Sequence, residues 1–147
     1  MQDITEEKKT TLVMIRGLPG SGKSTMARKL VDEQGYCHFE NDMYHINDGV
    51  YDFDVNKVVE AGLWCRGKVE EELAKGNNVV VSNTFIEFIH MSFYINLISD
   101  NGYKLEILEA TGNYGSVYDV PVHVLASMKK RWQELSDMRS TVIHTGF

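Results

Sequence analysis

The sequence predicts a three-layer α/β domain, with a small, mostly parallel sheet of about four to five strands flanked by helices. Short apolar runs bounded by glycine or asparagine alternate along the chain with longer stretches of helical apolar spacing. The first run, Leu12 to Ile15, leads directly into Gly17-Leu18-Pro19-Gly20-Ser21-Gly22-Lys23-Ser24, and a helical pattern opens at Thr25. That order of strand, glycine-rich G-x-x-x-x-G-K-[S/T] turn and helix is the setting of a phosphate-binding P-loop. The length of 147 residues suits one domain around one core, so a single unit over 1–147 is expected, with 1–10 a charged lead-in and 136–147 a loose tail.

In chain order, Thr11–Arg16 reads as a buried parallel strand, because it is a short apolar run without alternation. Ser24–Gln34 places Met26, Ala27, Leu30 and Val31 on one helical face, and Gly35 supplies the stop. Tyr36–Glu40 predicts a second strand. Asn41 to Asp54 is polar, with Tyr44, Tyr51 and Phe53 interleaved, and is expected to be a functional loop. Asp54 can cap a long helix with an apolar stripe of Val55, Val58, Val59, Leu63, Val69 and Leu73, closed by Gly76. Gly62 and Gly67 inside it predict close packing. Val79-Val80-Val81 is the strongest strand signal, and its carboxyl end at Ser82-Asn83-Thr84 should face a ligand. Ile86–Ser99 predicts a third helix, Leu105–Glu109 a fourth strand and Ala110–Val120 a loop. Pro121 then opens a last helix at its first-turn position, with a stripe of Val122, Leu125, Met128, Trp132 and Leu135. Trp64 and Trp132 fall in apolar stripes and read as core.

The chemistry begins with the glycines, which let successive N–H groups point inward at a helix N-terminus and form an anion nest. A triphosphate fits it, so Gly17, Pro19, Gly20, Ser21, Gly22, Lys23, Ser24 and Thr25 form the candidate nucleotide site. Lys23 would bridge β- and γ-phosphate oxygens, and the Ser24 hydroxyl would hold Mg²⁺; ATP and Mg²⁺ are the expected cofactors. In such sheets ligands bind beyond the carboxyl ends of the strands, which gathers the P-loop, Asp42, Asn83 and the 111–120 loop around one crevice. Asp42 is placed either to accept the proton of an attacking hydroxyl or simply to cap a turn. Tyr51 and Phe53, or Tyr114 and Tyr118, either stack on a base or anchor loops to the core.

The net charge of −6 argues against a broad basic face for nucleic acid, so any such contact should be small. Cys37 and Cys65 have no C-x-x-C spacing and make no metal pattern with His38 and His45; both are expected to be buried, reduced thiols. His90, His123 and His144 show no ligand spacing either. Glu6, Glu7, Lys8 and Lys9 stand where a signal peptide needs an apolar stretch, and no run approaches membrane-spanning length, which predicts a soluble, cytoplasmic protein.

From Leu12 to Tyr44 the chain resembles the 5′-kinase domain family of the bacteriophage polynucleotide kinase, in which the second strand is followed by aspartate-x-x-arginine. Here that stretch is Asp42-Met43-Tyr44-His45. The resemblance resumes at Val79 to Thr84, where relatives have an apolar strand followed by Ser-Asp-Thr or Asp-Asn-Thr. It returns at Val120 to Met128, similar to the helix after the family's lid. Gly49 to Asp54, with Leu63-Trp64-Cys65, resembles a wider branch of small P-loop kinases of phages and cells. The resemblance implies ATP-dependent transfer to a hydroxyl, with a polynucleotide 5′ end as acceptor, Asp42 as general base and His45 and Asn83 near the substrate.

Three departures qualify it. His45 stands for the arginine that holds the substrate phosphate and cannot form a bidentate fork. Asn83 stands for an aspartate and carries no charge toward Mg²⁺. The lid stretch Thr111 to Val120 has no arginine or lysine, whereas an arginine on the transferring phosphoryl group can be worth about 10³ or more in rate. Lys129, Lys130, Arg131 or Arg139 could substitute. Either the lid chemistry is replaced or turnover is slow. The alternatives are therefore a kinase for a nucleoside or other small metabolite, and a nucleotide-binding protein with little turnover; no separate water-positioning signature for an NTPase is found.

Overall fold

The computed structural model describes residues 9–114 and 120–137. Its centre is a parallel four-stranded sheet in the order β2-β5-β1-β6, formed by β1 (Thr11–Arg16), β2 (Cys37–Phe39), β5 (Val79–Asn83) and β6 (Lys104–Glu109). In register, β1 lies between β5 and β6, with Met14 opposite Val81 on one side and Ile107 on the other. A strand buried on both faces needs apolar residues at every position, which is why Leu12–Ile15 and Val79–Val81 are unbroken runs. The pleat then sorts them. Val13, Ile15 and Val80 pack under α1 (Lys23–Gln34) with Ala27, while Leu12, Met14, Val79 and Val81 pack against α2 (Val58–Ala74) and α3 (Ser92–Asn101). Helices on both faces complete the three layers expected.

The second helix buries Val69 and Leu73 of the predicted stripe but departs from it in its first half. Asp54 does act as a cap, its side chain accepting from Asn56 N at 2.9 Å, but it caps a short 3-10 turn, Val55–Lys57, that precedes α2. The buried face of α2 is Ala61, Cys65, Val69 and Leu73, whereas Val55, Val59 and Leu63 are 70%, 74% and 58% exposed. Two i, i+4 rows compete on this helix, and the sheet takes the row whose small Ala61 and Cys65 allow close approach. Close packing at the helix glycines is not required: a Cβ on Gly67 would meet nothing within 4 Å, and one on Gly62 would only touch the Asn41 side chain at 3.9 Å.

Asn41 to Asp54 is ordered into a 3-10 turn, Asn41–His45, and a small antiparallel hairpin of β3 (Ile46–Asn47) and β4 (Val50–Tyr51). Asp48 and Gly49 turn the hairpin at φ 51° and 80°, the left-handed pair that Asp-Gly favours. The third helix begins later than predicted, after a 3-10 turn at Phe88–Met91. In the last helix, α4 (Val122–Arg131), Pro121 is the N-cap rather than a first-turn residue, and no side chain is fully buried. Trp132 lies beyond its end, stacked on a guanidinium instead of sitting in the core. No helix among the described residues is long and apolar enough to cross a membrane.

Candidate active site

The crevice is built at the carboxyl end of the sheet, starting from Gly17. Its N–H donates to Thr84 O at 3.3 Å, and a Cβ there would fall 2.8 Å from Ala110 O, so only glycine lets the loop leave β1 between its neighbours. Gly20 and Gly22 adopt φ of 79° and 99°, which turns the loop back on itself. Gly22 caps α1 without a side-chain hydrogen bond, and the first turn of α1 carries no acidic residue. The opening N–H groups therefore point out of the helix with no side-chain cap, the donor arrangement that suits phosphate oxygens. Ser21 Oγ is buried with no hydrogen-bond partner. Lys23 Nζ donates to Leu18 O at 3.1 Å, within the loop it would serve. Burial lowers its pKa, opposed by the charges of Glu40 and Asp42, which places all three groups in one electrostatic cluster.

The opposite rim comes from the end of β2. Asn41 N donates to Asn83 Oδ1 at 2.8 Å and Asn83 Nδ2 donates to Asn41 Oδ1 at 3.2 Å, so Asn83 clamps the start of the 3-10 turn that carries Asp42. Asp42 accepts from the Tyr51 hydroxyl at 3.2 Å. Burial, then the neighbouring Glu40 charge, raises its pKa above the ordinary aspartate value, against the Tyr51 hydrogen bond, His45 and Lys23. A carboxylate made more basic in this way is suited to take a proton. Tyr51 is thus a tie to Asp42 rather than a stacking platform.

His45 does not take the place expected of it. It is 4% exposed, its ring centroid 4.9 Å from that of Phe53 and 6.1 and 6.2 Å from those of Tyr44 and Tyr51, with Nδ1 accepting from Asp54 N at 3.5 Å. An imidazole enclosed by three aromatic rings braces the hairpin onto the 3-10 turn; it does not line the crevice to receive a substrate phosphate. Asn83 is likewise turned to Asn41 rather than standing free.

Sequence reasoning passed over two polar groups. Glu40 Oε1 accepts from Ser82 Oγ at 2.9 Å and Ser24 Oγ at 3.4 Å, with His38 Nε2 at 3.5 Å. Burial works against its charge, but His38, the Ser82 hydroxyl and Lys23 outweigh it and hold its pKa below the usual glutamate value. A glutamate ending a strand whose carboxyl end faces the P-loop was the available signal. Arg16, fully buried, donates to Phe85 O, Ile86 O and, at 2.7 Å, Gln133 O, pairs with Glu109 at 3.1 Å and lies 3.8 Å beneath the Trp132 ring. It ties the segment after α4 to the sheet, and no local sequence pattern marks it.

The loop after β6 crosses the P-loop. Gly112 N donates to Ser21 O at 3.0 Å and Tyr114 N to Gly20 O at 2.7 Å, beside a cleft of about 460 Å³ lined by Ser21, Gly22, Thr25, Met26, Thr111 and Tyr114. Exposed Tyr114 is the aromatic group at that cleft; Tyr118, Arg139 and His144 lie outside the described residues. Of the basic candidates on α4, Arg131 stands 3.6 Å from Glu87, while Lys129 lines a second cleft with Leu18 and Thr111. Among the described residues no three His, Cys, Asp or Glu side chains are grouped to hold a metal ion. Cys65 is buried as expected, Cys37 only half-buried, and burial pushes both thiols up.

Residues 12–112 match the AAA domain family. Human NEDD4-binding protein 2 is 36% identical over 97 residues, and a protein of Acanthamoeba polyphaga mimivirus named "Putative bifunctional polynucleotide phosphatase/kinase" is 32% identical over 96. The matches cover 64% and 65% of this chain but only 5% and 19% of those proteins. Among solved structures, one of a Pnkp1/Rnl/Hen1 complex aligns with a TM-score of 0.57 at 18% identity, covering 82% of this chain and 39% of that one. A gluconokinase from Sinorhizobium meliloti 1021 aligns with a TM-score of 0.54 at 18% identity, covering 87% and 78%. The P-loop, the parallel sheet and the match over 12–112 lead to one conclusion: the chain belongs to the AAA domain family.

Proposed function

We propose that this domain transfers the γ-phosphoryl group of ATP to a hydroxyl, with a polynucleotide 5′-hydroxyl as acceptor. The observation that carries the reading is Asp42, a desolvated carboxylate of raised pKa that interacts with the Lys23 charge and sits on a turn braced by Tyr51 and the Asn41–Asn83 pair. The nest and the α1 N-terminus bind the phosphates, Lys23 leaves Leu18 O to meet them, and Asp42 takes the proton from the attacking hydroxyl. The Ser24 hydroxyl is an oxygen donor that suits a hard cation, and Mg²⁺ would offset negative charge on the phosphates. Ser24 is the residue that would hold it. Tyr114 offers a face to the base.

A small hydroxyl compound is the second acceptor class. It is favoured by the enclosure of His45, which leaves the crevice without the expected group for an acceptor phosphate, and by the acidic balance of the chain. Incubation with γ-labelled ATP, 5′-hydroxyl oligonucleotides and free nucleosides and sugars distinguishes them. Label on oligonucleotide 5′ ends supports the first reading, label only on small acceptors the second, and ATP binding without transfer would leave a nucleotide-dependent binding domain.

A further inference from the structure

We infer that Glu40 is a positioning residue that fixes the Ser24 hydroxyl for the metal ion of the bound nucleotide, an inference that rests on the ATP reading above. Two hydroxyl donors converge on one oxygen, Glu40 Oε1: Ser24 Oγ from the first turn of α1 at 3.4 Å and Ser82 Oγ from β5 at 2.9 Å, with His38 Nε2 of β2 lying 3.5 Å away as an ion-pair neighbour. The direction of this chain follows from valence. A carboxylate only accepts, so the single hydroxyl hydrogen of Ser82 goes to Glu40 and its oxygen takes the hydrogen of His38 Nε2, 2.7 Å away. Glu40 is thereby held at a fixed place and shielded, with a side chain only 12% exposed. Ser24 must likewise donate its one hydrogen to Glu40, which turns its lone pairs outward to where a cation would take them.

Two other polar side chains of this rim have partners of their own. Asn83 is paired with Asn41, and Asp42 accepts from Tyr51. Among the described residues Glu40 is the carboxylate in hydrogen-bond contact with Ser24. The charge that Asn83 cannot provide from the end of β5 is thus provided from the end of β2, one strand over, with Ser82 of β5 holding it in place.

The test is calorimetric titration of ATP into the full chain, once in EDTA and once in excess Mg²⁺, for wild type, Glu40→Gln, Ser24→Ala and the double variant. The quantity read is the ratio of the two affinities, with thermal melts to confirm folding. Glu40→Gln is expected to lower the Mg²⁺ enhancement about tenfold or more while affinity in EDTA stays the same or rises, since a negative charge near the phosphates is gone. Because Glu40 acts through Ser24, the double variant should lose no more than either single one. Should Glu40→Gln melt early, Ser82→Ala keeps the carboxylate but removes its holder, and a drop of about threefold or more is expected. An unchanged ratio in Glu40→Gln or in folded Ser82→Ala, or additive losses in the double variant, overturns the role of Glu40 alone. Wild type that binds no ATP in either condition overturns the ATP reading and this inference with it.

Discussion

The two rims of the crevice are built on different principles. The P-loop rim presents backbone N–H groups at glycines whose φ values and close approaches exclude side chains, at Gly17 by contact with Ala110 and at Gly20 and Gly22 by left-handed backbone. The rim at the ends of β2 and β5 is built from side chains, Glu40, Asp42 and Asn83, each held by a partner from another element. Backbone recognition tolerates little substitution and leaves a contiguous motif, whereas side-chain recognition can shift a charge from one strand to the next and enclose a histidine. Phosphate binding should therefore fail abruptly on mutation and acceptor chemistry by degrees.

The largest effect expected is that of Lys23→Ala, which should abolish ATP binding or turnover while the melting temperature stays close to wild type, because among the described residues the Lys23 ammonium hydrogen-bonds to Leu18 O of its own loop. Calorimetry with ATP and Mg²⁺ showing unchanged affinity would put the nucleotide elsewhere. Next, Asp42→Asn should lower phosphoryl transfer by about 10²-fold with ATP affinity nearly unchanged. The pH profile adds a sign. The base works only when deprotonated, and its pKa is raised, so in wild type transfer should be lost as pH falls through a value above the ordinary aspartate range. That acid limb should be absent from whatever activity Asp42→Asn retains.

On the acceptor rim, His45→Arg sharpens the contrast between sequence pattern and packing. Placing a guanidinium inside the Tyr44, Tyr51 and Phe53 cage should cost about 2–3 kcal/mol of stability, read in denaturant, rather than improve binding of a phosphate-bearing acceptor. A folded variant with a lower KM for 5′-hydroxyl oligonucleotides would return His45 to the crevice. The smallest effect is that of Asn83→Ala, which unclamps Asn41 at about 1 kcal/mol and should lower kcat by less than Asp42→Asn does. Equal losses would mean that Asn83 touches the reacting groups itself.

The sequence by itself determined the parallel α/β order, the strand at Val79, the end of α1 at Gly35 and the whole of the P-loop, because each depends on residues adjacent in the chain and on local backbone preference. Asp-Gly at 48–49 was equally local, a hairpin signal present in the sequence and passed over. Tertiary structure decided the rest. It chose the Ala61–Cys65–Val69–Leu73 row of α2 over the larger apolar row, since fit to the sheet and not hydrophobicity alone selects a helix face. It also carried Trp132 to Arg16, enclosed His45 and brought the Ser24 and Ser82 hydroxyls onto one Glu40 oxygen. Such meetings join positions that only strand pairing makes neighbours, as Glu40 and Ser82 are, 42 residues apart in the chain, and no periodicity or motif encodes which strand will lie beside which.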